Sequence, residues 1–318
     1  MPKRTIVPVD MGGSQSRCVI SPPGQVPPKA ETVRALIAHY EAERAPQGSD
    51  VEVGFFRGGV PGPDLLDACR GYPIRVSCNP ADLSRQDALR LHSAGVQTIE
   101  LEVFSLDPYV LRSNSRDYTV ARILGMFRVL SEMRLKVGVH LVPGLPGGDE
   151  ETSMADVRLL IESGHVDFVR LWPALAFEGA TLAEWVQEGR WSPPEVPAMV
   201  ALLGRMMDGL EAAGIPVVRV GLHPGQDVPA ELVAGPYHPN LRGEVETRRF
   251  GRRMMAALAD QDTGPSPVIR VHPKDMGWAK GTSNTNARMI RTRLGLAELK
   301  IVSDPEVSRG TVAVGEAG

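Results

Sequence analysis

Thr5-Ile6-Val7-Pro8-Val9-Asp10-Met11-Gly12-Gly13-Ser14-Gln15-Ser16-Arg17-Cys18-Val19-Ile20-Ser21-Pro22-Pro23 is the stretch around which the chain is organised. The apolar run through Val9 predicts a short strand, and the glycines and serines beyond Asp10 turn it into a loop. The loop's polar residues have a fixed spacing: Ser14, three residues, Cys18, two residues, Ser21. Alone, such a segment reads as a Gly/Ser/Pro surface loop with an incidental cysteine, so its meaning depends on what surrounds it.

Outward from this loop, short β-branched runs alternate with amphipathic stretches. Strands are predicted at Thr5–Val9, Val51–Phe56, Ile74–Cys78, Thr98–Val103, Lys136–Val142, Phe168–Trp172 and Val217–Leu222. Helices are predicted at Glu31–Arg44, Pro63–Cys69, Ser84–Ala94, Val120–Arg134, Glu150–Ser163 and Pro197–Ala213. This alternation implies parallel strands joined by crossover helices. The strands read as nearly continuous apolar runs, as strands buried on both faces should. Residues of unusual type follow the strand ends: Gly58-Gly59, Asn79, Ser105, Pro143-Gly144-Leu145-Pro146-Gly147 and Pro173. In a parallel barrel those ends share one mouth, where ligands bind, and the Cys18 loop opens onto it.

At 318 residues, 42% hydrophobic and formal charge −3, the chain suits one barrel with a smaller unit, expected as residues 1–225 and 226–318. Three cysteines, Cys18, Cys69 and Cys78, give an odd number and no disulfide framework, which predicts a reducing, cytoplasmic setting. Met1-Pro2-Lys3-Arg4 leads straight into the first strand, with no apolar run long enough for a signal or membrane span, so no membrane partner is expected. From Arg242 onward thirteen Lys or Arg stand against nine Asp or Glu, so the C-terminal part is the mildly basic one.

The ordered motifs resemble the radical SAM superfamily, in particular proteins related to the Elongator catalytic subunit. Ile6 to Ser21 is similar to that branch's first strand and C-x3-C-x2-C cluster loop. Val53-Gly54-Phe55-Phe56-Arg57-Gly58-Gly59 resembles V-x-F-Y-G-G-S, and Thr98-Ile99-Glu100-Leu101-Glu102-Val103-Phe104-Ser105-Leu106-Asp107 resembles T-I-E-L-G-V-Q-S-L-D. Gly144-Leu145-Pro146-Gly147 matches G-L-P-G, Phe168 to Pro173 resembles F-V-R-I-Y-P, and Ala234 to Pro239 resembles A-G-P-F-H-P. The resemblance implies an α/β fold, a radical-SAM-type partial TIM barrel of parallel strands with a smaller C-terminal α/β KH-like unit. It also implies a pocket for S-adenosylmethionine or a small nucleotide-like ligand at the barrel mouth, with Gly58, Gly59, Glu100, Ser105, Gly144 and Arg170 as cofactor-binding positions. Glu100 and Ser105 have an alternative reading as an inward-facing polar pair of the core. No catalytic residue is singled out.

In the family, three cysteine thiolates hold a [4Fe-4S] cluster that cleaves S-adenosylmethionine reductively. Here Ser14 and Ser21 occupy two of the three ligand positions, and only Cys18 supplies a thiolate. A serine hydroxyl is a hard, protonated oxygen, so one thiolate is not expected to hold a cluster. Cys69 and Cys78 read as small core hydrophobes. Other departures collect at the same mouth: Phe104 for Gln, Glu102 for Gly, Arg57 inserted before Gly58, Asp117-Tyr118 for Gly-His, and His140 for Gln. They describe a site released from its old chemistry or refitted to a new one.

Pro224 to Pro229 reads as a linker. A helix from Asn240 to Asp260 follows, carrying Arg242, Arg248, Arg249, Arg252 and Arg253. Strand Val268–His272, the segment Gly277 to Asn284, helix Thr285–Leu294, and strands Glu298–Val302 and Thr311–Val314 resemble the KH-like unit of this branch. The resemblance places Lys280, Gly281, Asn284 and Arg288 at a nucleic-acid backbone, with tRNA or other RNA as partner. Asn284 replaces the second glycine of G-x-x-G, and a pure packing module is the other reading of this unit. The sequence therefore predicts a superfamily protein with a degenerate cluster loop, lacking radical chemistry, that associates with RNA or binds S-adenosylmethionine or a nucleotide. The alternative is an active radical SAM enzyme that modifies RNA.

Overall fold

The computed structural model describes residues 5–13, 19, 26–43, 50–222, 231–259 and 265–315. By compactness the chain divides into two units, residues 1–195 with 206–237, and 196–205 with 238–318. The boundary expected at 225 and the linker at Pro224 to Pro229 lie outside the described residues.

The first unit runs β1 (Thr5–Gly13), α1 (Ala30–Glu43), β2 (Val51–Gly58), α2 (Pro63–Ala68), β3 (Ile74–Cys78), α3 (Arg85–Ser93), β4 (Val96–Phe104), α4 (Pro108–Ser113), α5 (Val120–Glu132), β5 (Lys136–Leu141), α6 (Glu150–Ser163) and β6 (Phe168–Leu171). It continues through β7 (Ala176–Phe177), α7 (Thr181–Gln187), the later part of α8 (Val196–Ala212), β8 (Val217–Val220) and β9 (Leu232–Ala234). Seven strands form one parallel sheet in the order β1-β2-β3-β4-β5-β6-β8, a curled half-barrel, while β7 and β9 make a separate antiparallel ribbon. Val7 pairs with Val53, Val53 with Ile74, Ile99 with Val137, and Val139 with Val169.

Side chains alternate along each strand, so the sheet has two faces of different chemistry. Val7, Val9, Val53, Phe55, Ile74, Val76, Ile99, Leu101, Val137, Val139 and Val169 are buried on one. Each such side chain contributes about 1.5–3 kcal/mol of transfer free energy. The other face carries Glu52, Arg75, Ser77, Thr98, Glu100, His140 and Arg170. The expectation of strands apolar on both sides is thereby corrected: both faces are buried, but the inner one is polar and ionic.

Local signals set the crossover helices. Ser84 and Asp87 form a capping box on α3, Asp149 and Thr152 another on α6, and Gly164 at φ 65° ends α6 in the left-handed conformation. The sequence reading missed α4 and α7, and the Asp107-Pro108 pair was the available signal for α4. Asp107 Oδ1 accepts from the amides of Tyr109 (2.7 Å) and Val110 (2.9 Å), and Pro108 opens the helix where its missing N–H costs nothing.

In the second unit α9 (Leu241–Ala259) buries Phe250, Met254 and Leu258 with Ile269 and Val271 of β10 (Val268–Val271), Ala279 of α10 (Met276–Lys280) and Ile290 of α11 (Thr285–Leu294). Strand β10 lies between β11 (Lys300–Ser303), to which it is parallel, and β12 (Ala313–Gly315), to which it is antiparallel. The expected strand, helix and strand are present, with one difference: residues 276–280 form a helix, so Gly281 to Asn284 is a turn between two helices. The buried Asn286 fixes this turn, its Nδ2 donating to the carbonyl oxygens of Thr247, Trp278 and Ala279. Among the described residues no helix is long and apolar enough to cross a membrane.

Candidate functional site

The inner face of the half-barrel is built around Glu100, fully buried at the middle of β4. Arg75 on β3 donates to its Oε1 at 2.6 Å, and Arg170 on β6 donates to both oxygens, at 2.5 and 3.0 Å. His140 Nε2 lies 2.7 Å from Oε2, and Arg75 also reaches Glu52 Oε2 at 3.0 Å. Burial alone raises the carboxyl's pKa, but the hydrogen bonds and charges of His140 and Arg170 overcome it and hold Glu100 well below the usual carboxylate range. Glu100 is thus an anion with its acceptor sites filled from three strands. Gly138 makes the close fit possible, since a Cβ there would lie 2.4 Å from the Phe168 ring and 3.0 Å from Glu100 Cγ. The half-buried Arg219 of β8 adds a further cation, its own pKa lowered by burial and by Arg170, with its guanidinium 5.9 Å from the Trp172 ring centroid.

At the C-terminal ends of the strands the chemistry changes. Phe104, the last residue of β4, has φ 69°, which is costly for a bulky side chain, by about 1–3 kcal/mol. The guanidinium of Arg116 sits 3.5 Å from its ring centroid. Arg116 is only 4% exposed, yet its Nε and Nη2 have no hydrogen-bond partner among the described residues. The indole nitrogen of Trp172, three residues before Leu175, is likewise buried without a partner there. Val19, the residue after Cys18, is buried in one apolar cluster with Phe104, Val110, Val142, Leu145, Ala174 and Leu182, and its carbonyl accepts from Leu182 N at 3.0 Å.

The positions that depart from the family pattern contact one another or their neighbours. Tyr118 Oη donates to the carbonyl of Val103 at 3.1 Å, Glu102 accepts from Ser77 Oγ at 3.1 Å, His140 holds Glu100, and Arg57 donates to Asp10 at 3.2 Å. The last pair is more than half exposed and contributes little. Of the residues singled out from sequence, Glu100 and Arg170 are in direct contact. Ser105 is engaged elsewhere, donating to Asp156 Oδ1 on α6 at 3.2 Å. Gly58 ends β2 beside Gly13 and Cys78, and a Cβ on Gly59 would meet open space. Gly144 has φ 87° and Gly147 φ 81°, so both need glycine's left-handed freedom. Ser14, Cys18 and Ser21 lie outside the described residues. Cys69 and Cys78 are buried thiols, burial pushing Cys69 up to about 11 and Cys78 well above its ordinary range.

In the second unit Lys280, Asn284 and Arg288 are exposed on the α10–α11 turn and the first turns of α11. Gly281, Ser283 and Asn284 all have positive φ, and a Cβ on Gly281 would come 2.8 Å from Thr247 Cγ2. The arginines of α9 are more engaged than their number suggests. Arg249 is buried against Glu246 at 2.9 Å, and Arg253 donates to the Gly310 carbonyl at 2.6 Å. Sequence reasoning passed over Arg116, Arg75 and Glu52. The signal for the latter two was the polar alternation Glu52-x-Gly54, Arg75-x-Ser77 and Thr98-x-Glu100-x-Glu102.

A half-barrel of seven parallel strands with a polar inner face and glycine-rich strand ends defines a radical-SAM-type fold. Residues 166–249 match the Radical_SAM C-terminal domain family. The tRNA uridine(34) acetyltransferase of Dehalococcoides mccartyi is 28% identical over 172 residues, 54% of this chain and 36% of that protein. Elongator complex protein 3 of Danio rerio is 30% identical over 186 residues, 57% of this chain and 32% of that one. Among solved structures, Elp3 of the archaeon Methanocaldococcus infernus with an N-terminal deletion superposes with TM-score 0.61 at 18% identity, covering 78% of this chain and 63% of that chain, which is a likeness of fold. The chain spans about a third of the length of the two curated relatives. The chain is therefore similar, over part of its length, to radical SAM proteins related to the Elongator catalytic subunit.

Proposed function

We propose that this chain keeps the ligand-binding mouth of its barrel, has lost the donor set for an iron-sulfur cluster, and works in the cytoplasm as an RNA-associated protein that binds S-adenosylmethionine or a nucleotide of similar shape. The observation that carries the binding reading is Arg116: two nitrogens of its buried guanidinium have no acceptor among the described residues, and a carboxylate would supply two oxygens. S-adenosylmethionine fits this requirement, bringing when bound an amino-acid carboxylate, a sulfonium charge and an adenosyl group. Phe104 holds Arg116 from one face, and the buried apolar cluster with Val19, Val142 and Leu145 excludes water from the neighbourhood. Gly58, Gly59 and Gly144 offer backbone without side-chain obstruction, while Glu100 and Arg170 form the charged floor.

The [4Fe-4S] cluster does not fit. Ser14, Cys18 and Ser21 offer one soft thiolate and two hard hydroxyls. Burial keeps the thiols of Cys69 and Cys78 protonated near neutral pH, so neither is prepared to stand in. The RNA reading is supported by the exposed Lys280 and Arg288 flanking a turn whose backbone Gly281 and Asn284 hold open, and by relatives whose names attach them to tRNA. That footprint is narrower than the arginine count of α9 suggests, because Arg249 and Arg253 are committed internally.

The test is titration calorimetry of the anaerobically reconstituted protein with S-adenosylmethionine, followed by incubation with a strong reductant. Saturable binding without 5′-deoxyadenosine is the expected result. Formation of 5′-deoxyadenosine would establish the active-enzyme alternative, and no binding at all would remove the ligand reading.

A further inference from the structure

Two arginines of the barrel present the same edge, and only one of them is met. In a guanidinium the Nε and Nη2 hydrogens lie side by side, so that edge grips two oxygens of one group. Arg170 uses it on Glu100, Nε donating to one carboxylate oxygen at 2.5 Å and Nη2 to the other at 3.0 Å. In Arg116 the same two nitrogens are buried with no acceptor among the described residues, while the guanidinium lies over the Phe104 ring. A third donor stands across β5. Phe104 pairs with Leu141 from one side, and Trp172 N donates to the Leu141 carbonyl from the other, which puts the two residues two strand spacings, roughly 10 Å, apart. Trp172 packs on the same apolar cluster as Phe104, and its Nε1 is likewise buried without an acceptor among the described residues.

The charge around these donors favours an anion. Arg219 is the register partner of Arg170 and shares the inner face with it, as Glu102 shares it with Glu100 two residues earlier. Four cations, Arg75, Arg116, Arg170 and Arg219, thus stand with three carboxylates, Glu52, Glu100 and Glu102, a surplus of one cation, and Glu52 and Glu100 are already held by arginines. A sulfonium would add to that surplus, whereas a phosphate monoester opposes it. A carboxylate has only the two oxygens that the Arg116 edge takes, and a terminal phosphate has one more. We propose that the mouth takes a nucleotide by a terminal phosphate monoester, two of its oxygens on the Nε and Nη2 edge of Arg116 and the third on Trp172 Nε1. This rests on the binding reading above and narrows it from S-adenosylmethionine to a phosphate-bearing nucleotide.

The experiment is titration calorimetry of the full chain with adenosine 5′-monophosphate, adenosine and S-adenosylmethionine, repeated on Arg116→Met and Trp172→Phe. The monophosphate should bind about 10- to 100-fold tighter than adenosine and about tenfold tighter than S-adenosylmethionine. Arg116→Met should close the gap to adenosine. Should that variant fail to fold, Trp172→Phe keeps an aromatic ring and loses only the N–H; it should cost the monophosphate about tenfold and adenosine nothing. A monophosphate that binds no tighter than adenosine, or a gap that survives Arg116→Met or is untouched by Trp172→Phe, overturns the proposal. S-adenosylmethionine binding as tightly as the monophosphate, and weakened by Arg116→Met, would assign the edge to a carboxylate; the phosphate site then falls while the binding reading stands. No binding of any of the three removes both.

Discussion

The middle of the barrel's inner face and its mouth use the same residue types to opposite ends. Around Glu100, donors and acceptors close on one another: Arg75, His140 and Arg170 converge on one carboxylate, and Arg75 continues to Glu52. Arg116, only 4% exposed, instead stacks on a strained Phe104, and its Nε and Nη2 have no acceptor among the described residues. A satisfied buried network holds a fold together, whereas buried donors left open cost about 1–3 kcal/mol each and need a ligand to offset them. On the function proposed above, the difference sets a closed ionic floor apart from a position open to a ligand.

The comparison breaks first at Glu100. Glu100→Gln takes from Arg170 its carboxylate partner and from Arg75 one of its two, and should lower unfolding stability by about 3–5 kcal/mol in urea denaturation. A loss under 1 kcal/mol would mean that the network is dispensable. Because Glu100 is held below its unfolded-state pKa, its contribution is present at neutral pH and is lost as pH falls into the acid range, so the gap between wild type and Glu100→Gln should shrink in acid.

Arg116→Met sharpens the comparison from the other side. It should reduce S-adenosylmethionine affinity by about 10- to 100-fold, the loss of charged hydrogen bonds of roughly 1.5–3 kcal/mol, while stability holds or rises because two unpaired donors disappear. Equal losses of stability and affinity would make Arg116 a scaffold residue. Gly138→Ala drives a methyl against Phe168 and Glu100 and should cost about 1–3 kcal/mol in stability with ligand affinity little changed. The smallest effect is expected in the second unit, where Lys280→Ala with Arg288→Ala should weaken tRNA binding and lower the slope of log affinity against log salt by roughly 1–2. An unchanged slope would leave that turn a packing element.

Most of the architecture was legible because parallel strands and crossover helices leave a strong period: β3, α6 and α11 fall where Ile74–Cys78, Glu150–Ser163 and Thr285–Leu294 predict. The two-residue β7 and the short α4 and α7 were not, being shorter than any period that would announce them. At the site, Glu100 and Arg170 were visible as polar residues inside apolar strands. Arg116 was not, because nothing in Ser115-Arg116-Asp117 distinguishes a buried guanidinium from a solvated one; only the chain's return under Phe104 does so. Ser105 shows the converse, a residue at a strand end whose hydroxyl is taken by Asp156, fifty-one positions along the chain.

The central claim, a ligand-binding mouth without a radical centre, is tested most directly by the iron content of the protein after anaerobic reconstitution with iron and sulfide. The account predicts a colourless protein with less than one iron per chain. A brown protein carrying about four irons, the complement of a [4Fe-4S] cluster, would contradict it.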